Sequence, residues 1–185
     1  MKIRNNRAVF LDRDGVINRS FIRNGKPYPP TSIDQVEILP GVQTIIADLK
    51  HNGFLTICVT NQPDVARGIQ KKELIEDINK FLQIELKLDN IFTCYHDDKH
   101  NCNCRKPNPG MLIDAANLFS IDLEKSFMIG DRWRDIEAGF NAGCRTILID
   151  YGYNEEKSKM PPDKTVRSLK EAGEWILSIN RLSEI

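Results

Sequence analysis

Asp12 and Asp14 stand two residues apart in Asp12-Arg13-Asp14-Gly15, directly after the apolar run Ala8–Leu11. Thr60-Asn61-Gln62 closes a second apolar run, Phe54–Thr60, and Gly130-Asp131 follows a third, Ser126–Ile129. Arg105-Lys106-Pro107 precedes a helical segment, and Asp135 lies one turn beyond Asp131. These residue types suit hydrolysis of a phosphate monoester, a reaction that is extremely slow without a catalyst. Phosphoryl transfer asks for an in-line nucleophile, neutralisation of the equatorial oxygens and a proton for the leaving group. Asp12 and Asp131 are hard oxygen ligands for Mg²⁺, which takes one or two carboxylates plus phosphate and water. With that charge opposite it, an Asp12 oxygen can attack phosphorus. Asp14 can serve as general acid and then as general base for the hydrolytic water, with Gly15 allowing a sharp turn. The Thr60 hydroxyl and the Asn61 amide can donate to phosphoryl oxygens, and Lys106 adds a point charge there. Asp135 would hold Lys106 or a metal-bound water.

A single Asp at a strand end is ordinarily a helix cap or a solvated loop residue. Asp-x-Asp-Gly is also a fragment of a Ca²⁺ loop, but that loop needs Glu at its twelfth position, where Arg23 stands. Matching groups in chain order, gathered where ligands bind on open α/β sheets, outweigh the blander readings.

The elements that must position these groups alternate. Ala8–Leu11, Phe54–Thr60, Ile91–Tyr95, Ser126–Ile129 and Thr146–Ile149 read as short buried strands. Helical spacing marks Val42–Asn52, Lys71–Leu88, Met111–Phe119, Trp133–Ala142 and Ser168–Ile179. Five strand–helix units predict one α/β domain over residues 1–185, a parallel sheet with helices on both faces. The stretches 18–39, 97–109 and 151–164 read as irregular, except that Asn24-Gly25 is a hairpin-turn signal between Phe21-Ile22 and Tyr28.

Three of the five cysteines cluster beside histidines in Cys94-Tyr95-His96-Asp97-Asp98-Lys99-His100-Asn101-Cys102-Asn103-Cys104. Three thiols and an imidazole form a structural Zn²⁺ set, and a metal would order a polar loop that has no core of its own. His96 and His100 compete for the nitrogen position. Because Cys104 directly precedes Arg105-Lys106, fixing this loop also fixes two cations. Cys58 and Cys144 read as packing residues, and His51 as a surface residue at a helix end.

Val9-Phe10-Leu11-Asp12-Arg13-Asp14-Gly15, Val59-Thr60-Asn61-Gln62, Arg105-Lys106-Pro107 and Gly130-Asp131 together resemble the four motifs of the haloacid-dehalogenase (HAD) superfamily. Asp12-Arg13-Asp14-Gly15 with Cys104-Arg105-Lys106-Pro107 resembles the branch of the heptose 1,7-bisphosphate phosphatases and histidinol-phosphatases, over Ala8 to about Ile149. The resemblance implies a Rossmannoid three-layer fold with no large cap domain and a small zinc-binding loop at about 94–104. It implies Asp12 as nucleophile, Asp14 as acid/base, and Mg²⁺ held by Asp12, the Asp14 backbone carbonyl and Asp131. It implies a phosphoryl cradle of Thr60, Asn61 and Lys106, substrate contacts from Gln62 and Arg105, and Zn²⁺ on Cys94, His96, Cys102 and Cys104. Ala66-Arg67-Gly68 and Pro109-Gly110-Met111 resemble the heptose enzymes more than the histidinol ones, which implies a phosphorylated sugar substrate and hydrolysis of a 7-phosphate; histidinol phosphate is the alternative. A second phosphate would want cations away from Mg²⁺, such as Arg67 and Arg105, with Arg23 and Lys26 behind them. Two features depart from the family pattern: a longer 18–39 segment, which in this superfamily lies as a flap over the site, and Trp133-Arg134.

Composition sets outer bounds. The 185 residues carry 26 basic and 26 acidic side chains, so no global field favours nucleic acid or an anionic membrane. That argues against a nucleic-acid phosphatase, while the intact Asp12 and Asp14 argue against a purely binding module. No apolar run suits a signal-peptide core or a membrane span. The expectation is a cytosolic monomer.

Overall fold

The computed structural model describes residues 5–182. In chain order the elements are β1 (Arg7–Leu11), β2 (Phe21–Arg23), β3 (Lys26–Tyr28), α1 (Val42–His51), β4 (Phe54–Asn61), α2 (Lys72–Leu86), β5 (Asn90–Cys94), α3 (Gly110–Phe119), β6 (Phe127–Gly130), α4 (Trp133–Ala142), β7 (Arg145–Ile149), β8 (Lys164–Val166) and α5 (Leu169–Leu182). Six strands form one sheet in the order β5-β4-β1-β6-β7-β8, every pair parallel. Every strand and helix expected from periodicity is present to within one to three residues at each end. The short edge strand β8 is additional; three residues, Lys-Thr-Val, carry too little apolar pattern to mark it.

Strand alternation builds two cores. In β1, Val9 and Leu11 join Ile45, Leu49, Ile78, Leu82 and Ile176 from α1, α2 and α5. Ala8 and Phe10 point the other way, to Met111, Leu112 and Ala115 of α3 and Ala138 of α4. The period of two in the strand thus sorts side chains to opposite faces, and helices cover both.

From β1 the chain first builds outward through β4 to β5, then returns to lay β6 on the other side of β1 and continues to β7 and β8. The sheet therefore changes direction between β1 and β6, and the crevice beyond their carboxyl ends is the place for a ligand in such a fold. Asp12 and Asp131 are the residues that follow these two strands.

Within 18–39, β2 and β3 pair antiparallel, Phe21 opposite Tyr28 and Arg23 opposite Lys26, around Asn24-Gly25. The hairpin expected from that dipeptide is present, and Lys26, Pro27, Tyr28 and Pro29 line the cleft beyond β1. Among the described residues no helix is long and apolar enough to cross a membrane.

Candidate active site

Asp12, Asp131 and Asp135 bring carboxylate oxygens within 4.8 Å of one another, all three side chains buried. Lys106 reaches into this cluster, and only 1% of its surface is exposed. Its Nζ lies 2.8 Å from Asp12 Oδ1 and 2.6 Å from Asp135 Oδ1, and donates to the Val59 carbonyl on β4 at 2.7 Å. Lys106 is itself held from behind: its backbone N–H donates to Asn61 Oδ1 (3.1 Å) and its carbonyl accepts from Asn61 Nδ2 (3.0 Å). Asn61, expected to bind phosphate, lines the cleft, and its side-chain amide places Lys106. Asp135 does two jobs, since its Oδ2 also accepts from the Arg132 N–H at the start of α4 (3.1 Å).

Burial pushes the Asp12 carboxyl up to about 6, against the pull of Lys106 and with help from Asp135 and Asp14. Burial, then the Asp12 and Asp135 charges, raise Asp131 well above the carboxylate range. Burial works to lower Lys106, and the two carboxylates on it more than reverse that. Three carboxyl groups gathered around one ammonium leave this pocket short of positive charge whenever they ionise. Asp131 Oδ1 is buried and has no hydrogen-bond partner among the described residues. An orphaned oxygen amid surplus negative charge is a good fit to a hard divalent cation. Asp131 Oδ2 accepts from the Tyr153 hydroxyl at 2.9 Å. Gly15, at φ +90°, packs against the same carboxylate so closely that a Cβ there would stand 2.0 Å from Oδ2, so only glycine fits.

Asp14 accepts from Arg13 Nη2 (2.8 Å), Asn18 Nδ2 (2.9 Å) and Gln62 Nε2 (2.8 Å). Gln62 Nε2 also lies 2.9 Å from Thr60 Oγ1. Gln62, expected on the substrate, thus ties the second motif to Asp14. Arg13 is fully buried, and its Nη1 donates to Asn79 Oδ1 on α2 at 3.0 Å. In the sequence Arg13 had no role beyond its place in the first motif, and Asn79 had none; an Asn on the inward face of an amphipathic helix was the available signal.

The cleft encloses about 370 Å³. Asp12, Asp14, Thr60, Lys106 and Asp135 line its inner part, and the remaining charged lining is Lys26, Asp64, Arg67, Asp98, Arg105, Arg132 and Arg134. Arg132 pairs with Glu155. Arg67 Nη1 lies 3.2 Å from Asp64 Oδ1. Arg105 Nε and Arg134 Nη1 share one oxygen of Asp98, at 2.9 Å and 3.2 Å. Arg134, one of the departures from the family pattern, therefore belongs to the cleft wall, and its guanidinium stacks 4.6 Å from the Trp133 ring centre. Arg23 is absent from this wall and sits over the Tyr28 ring.

The second cluster is the cysteine loop. Cys104 Sγ lies 3.2 Å from Cys94 Sγ, 3.4 Å from Cys102 Sγ and 3.3 Å from His96 Nδ1, and Cys94 Sγ lies 3.7 Å from both Cys102 Sγ and His96 Nδ1. A tetrahedral zinc with sulfur at about 2.3 Å and nitrogen at about 2.0 Å sets ligand–ligand edges of roughly 3.5–3.8 Å, close to these values. His100 turns instead to Asp97, with Nδ1 3.2 Å from Oδ1. Cys58 and Cys144 are buried away from the cluster, as expected of packing residues.

A HAD-hydrolase-like family model matches residues 103–172. A D-glycero-β-D-manno-heptose-1,7-bisphosphate 7-phosphatase of Helicobacter pylori is 33% identical over 183 residues, covering 94% of this chain and 99% of the relative. A D-glycero-α-D-manno-heptose-1,7-bisphosphate 7-phosphatase of Campylobacter jejuni is 35% identical over 170 residues, covering 89% and 92%. The crystal structure of the D,D-heptose 1,7-bisphosphate phosphatase of B. bronchiseptica, complexed with magnesium and phosphate, superposes with a TM-score of 0.76 at 29% identity over 94% of this chain and 99% of that one.

Proposed function

This chain belongs to the HAD superfamily, among its heptose-1,7-bisphosphate 7-phosphatases, and we propose that it removes the 7-phosphate of a D-glycero-D-manno-heptose 1,7-bisphosphate by way of an acyl phosphate on Asp12. The observation that carries the reading is the buried Asp12–Asp131–Asp135–Lys106 cluster at the β1/β6 crevice, opening into a cleft whose far wall is cationic.

HAD phosphatases use Mg²⁺, and we assign it here to Asp12, Asp131 and the Asp14 backbone carbonyl. The bound ion supplies the positive charge that this cluster lacks and that the phosphate also needs. Lys106 fixes one oxygen of Asp12, so the carboxylate meets the phosphorus in a single orientation. Attack by an Asp12 oxygen forms the acyl phosphate and breaks the bond from phosphorus to the sugar oxygen, which takes a proton from Asp14. Asp14 then takes a proton from water, whose oxygen attacks phosphorus and returns Asp12 as a carboxylate. Arg13, Asn18 and Gln62 hold Asp14 for both steps. Lys106 and the Thr60 hydroxyl stabilise the phosphoryl oxygens, with Asn61 placing Lys106.

The cleft wall supports a substrate with a second phosphate. Away from the carboxylate cluster, with Arg132 already neutralised by Glu155, the lining holds four cations (Lys26, Arg67, Arg105 and Arg134) against Asp64 and Asp98, and Asp97 behind it lies 3.8 Å from Arg67. The wall stays net positive, which suits a second phosphate. Asp98, with its side chain 56% exposed, bridges Arg105 and Arg134, and a phosphate has the geometry to take both guanidinium groups from it. Histidinol phosphate offers that wall a cation instead.

We also assign a structural Zn²⁺ to Cys94, His96, Cys102 and Cys104. Burial, and then Cys104, raise the Cys94 thiol, and a zinc ion would convert crowded thiols into stable thiolate ligands. A reducing cytosol suits such a set.

Steady-state kinetics on both anomers of the heptose bisphosphate, beside histidinol phosphate, test the function. The expected kcat/KM favours one heptose anomer by at least about tenfold over histidinol phosphate. Equal values on all three would refute the heptose reading while leaving the phosphatase intact.

A further inference from the structure

The two oxygens of Asp131 are treated differently. Oδ2 accepts the Tyr153 hydroxyl at 2.9 Å and packs against the Gly15 backbone, where no Cβ has room. Oδ1 is buried with no hydrogen-bond partner among the described residues. Tyr153 comes from Tyr151–Glu155, a strap after β7 that no motif contains. The strap also touches the site at three other points. The Tyr151 hydroxyl donates to the Gly15 carbonyl at 3.0 Å, the Asn154 N–H donates to the Gly25 carbonyl of the flap hairpin at 3.2 Å, and Glu155 pairs with Arg132. The Tyr151 and Tyr153 rings pack with centroids 5.6 Å apart.

We infer that Tyr153 is a positioning residue for the magnesium site, holding Asp131 by Oδ2 so that Oδ1 is the oxygen offered to the ion. A carboxylate held at one oxygen cannot swing about its Cβ–Cγ bond, so the ligand oxygen stays in place before the ion arrives. Hydrogen bonds that orient a ligand in this way commonly change metal affinity by about 10–100-fold when removed. Tyr153→Phe keeps the ring and its packing and deletes only the hydroxyl. Tyr151→Phe deletes the neighbouring hydroxyl, whose partner is a backbone carbonyl and not a carboxylate.

The inference rests on the magnesium assignment, and the test separates the two. Isothermal titration of the full-length, metal-free protein with MgCl₂, in the absence of substrate, reads affinity directly. Wild type binds one Mg²⁺, Tyr153→Phe binds it roughly tenfold more weakly or worse, and Tyr151→Phe stays near wild type. Melting of the metal-free variants, followed alongside, should be nearly unchanged for both. At saturating Mg²⁺, Tyr153→Phe should keep KM for the sugar phosphate while the Mg²⁺ needed for half-maximal rate rises. Magnesium affinity of Tyr153→Phe within twofold of wild type overturns the inference. Equal weakening by both variants also overturns it, because the strap as a whole would then be responsible. No magnesium binding by wild type would instead remove the metal assignment beneath it.

Discussion

Taking the pH from about 7 to about 5 should remove much of the stabilisation that Mg²⁺ gives this protein. Burial, resisted by Lys106 and helped by Asp135 and Asp14, pushes Asp12 up to about 6, against an ordinary value of about 3.9. A carboxyl whose folded pKa is raised holds its proton more tightly in the fold than in the unfolded chain. Its contribution to the metal-free fold is therefore present below about pH 3.9 and is lost as pH rises through about 6, a swing on the order of 3 kcal/mol. Magnesium acts in the opposite sense, because it needs the ionised oxygen. At about pH 5 roughly nine-tenths of Asp12 is protonated, so apparent Mg²⁺ affinity falls roughly tenfold from its value at about pH 7. Asp131 is shifted the same way and adds to the fall. Tenfold is about 1.4 kcal/mol, or about 3–6 °C in the melting increment for a chain of this size. Scanning calorimetry with and without excess Mg²⁺ at the two pH values measures it. An increment equal at both would refute the account of the carboxylate cluster. So would an Asp12→Asn variant that kept the full pH dependence of the increment.

Three further outcomes are expected. Asp12→Asn should lower kcat by at least about a thousandfold without lowering the melting temperature, since it takes a buried charge out of a cluster already rich in negative charge; residual turnover near wild type would exclude Asp12 as nucleophile. Lys106→Met leaves Asp12 and Asp135 without their shared cation, so denaturant unfolding should show a loss of about 3–5 kcal/mol at neutral pH, shrinking in acid as Asp12 takes a proton. Cys102→Ser should reduce bound zinc, measured by plasma mass spectrometry, from one ion per chain and lower the melting temperature; unchanged metal content would dispose of the zinc assignment.

The carboxylates of the site were legible in the sequence because each follows a strand that periodicity marks, and the rule for open α/β sheets says which end to inspect. Asp12 and Asp131 could be paired before any coordinates, and Lys106 was one of two partners expected for Asp135. Their supporting residues could not. Tyr153 lies 22 positions from Asp131, in a polar stretch whose sequence carries no sign that it folds back over β6. Asn79 reads as one polar residue on an apolar helix face, and only the fold shows Arg13 against it. Asn61 and Gln62 were recognised as site residues and line the cleft, but that their side-chain amides also bond Lys106 and Asp14 depends on how close those residues come. The choice between His96 and His100 turned on where the loop between them bends, which spacing alone leaves open.

The switch of direction between β1 and β6 has a dynamic consequence. These are the two middle strands of six, flanked on both sides and covered above and below. Central, doubly covered strands are the last part of a domain to open, whereas the β2–β3 hairpin pairs outside that sheet. The spacing between the two key carboxylates is therefore set by the least yielding part of the fold, and the cleft-lining hairpin can change shape without altering it.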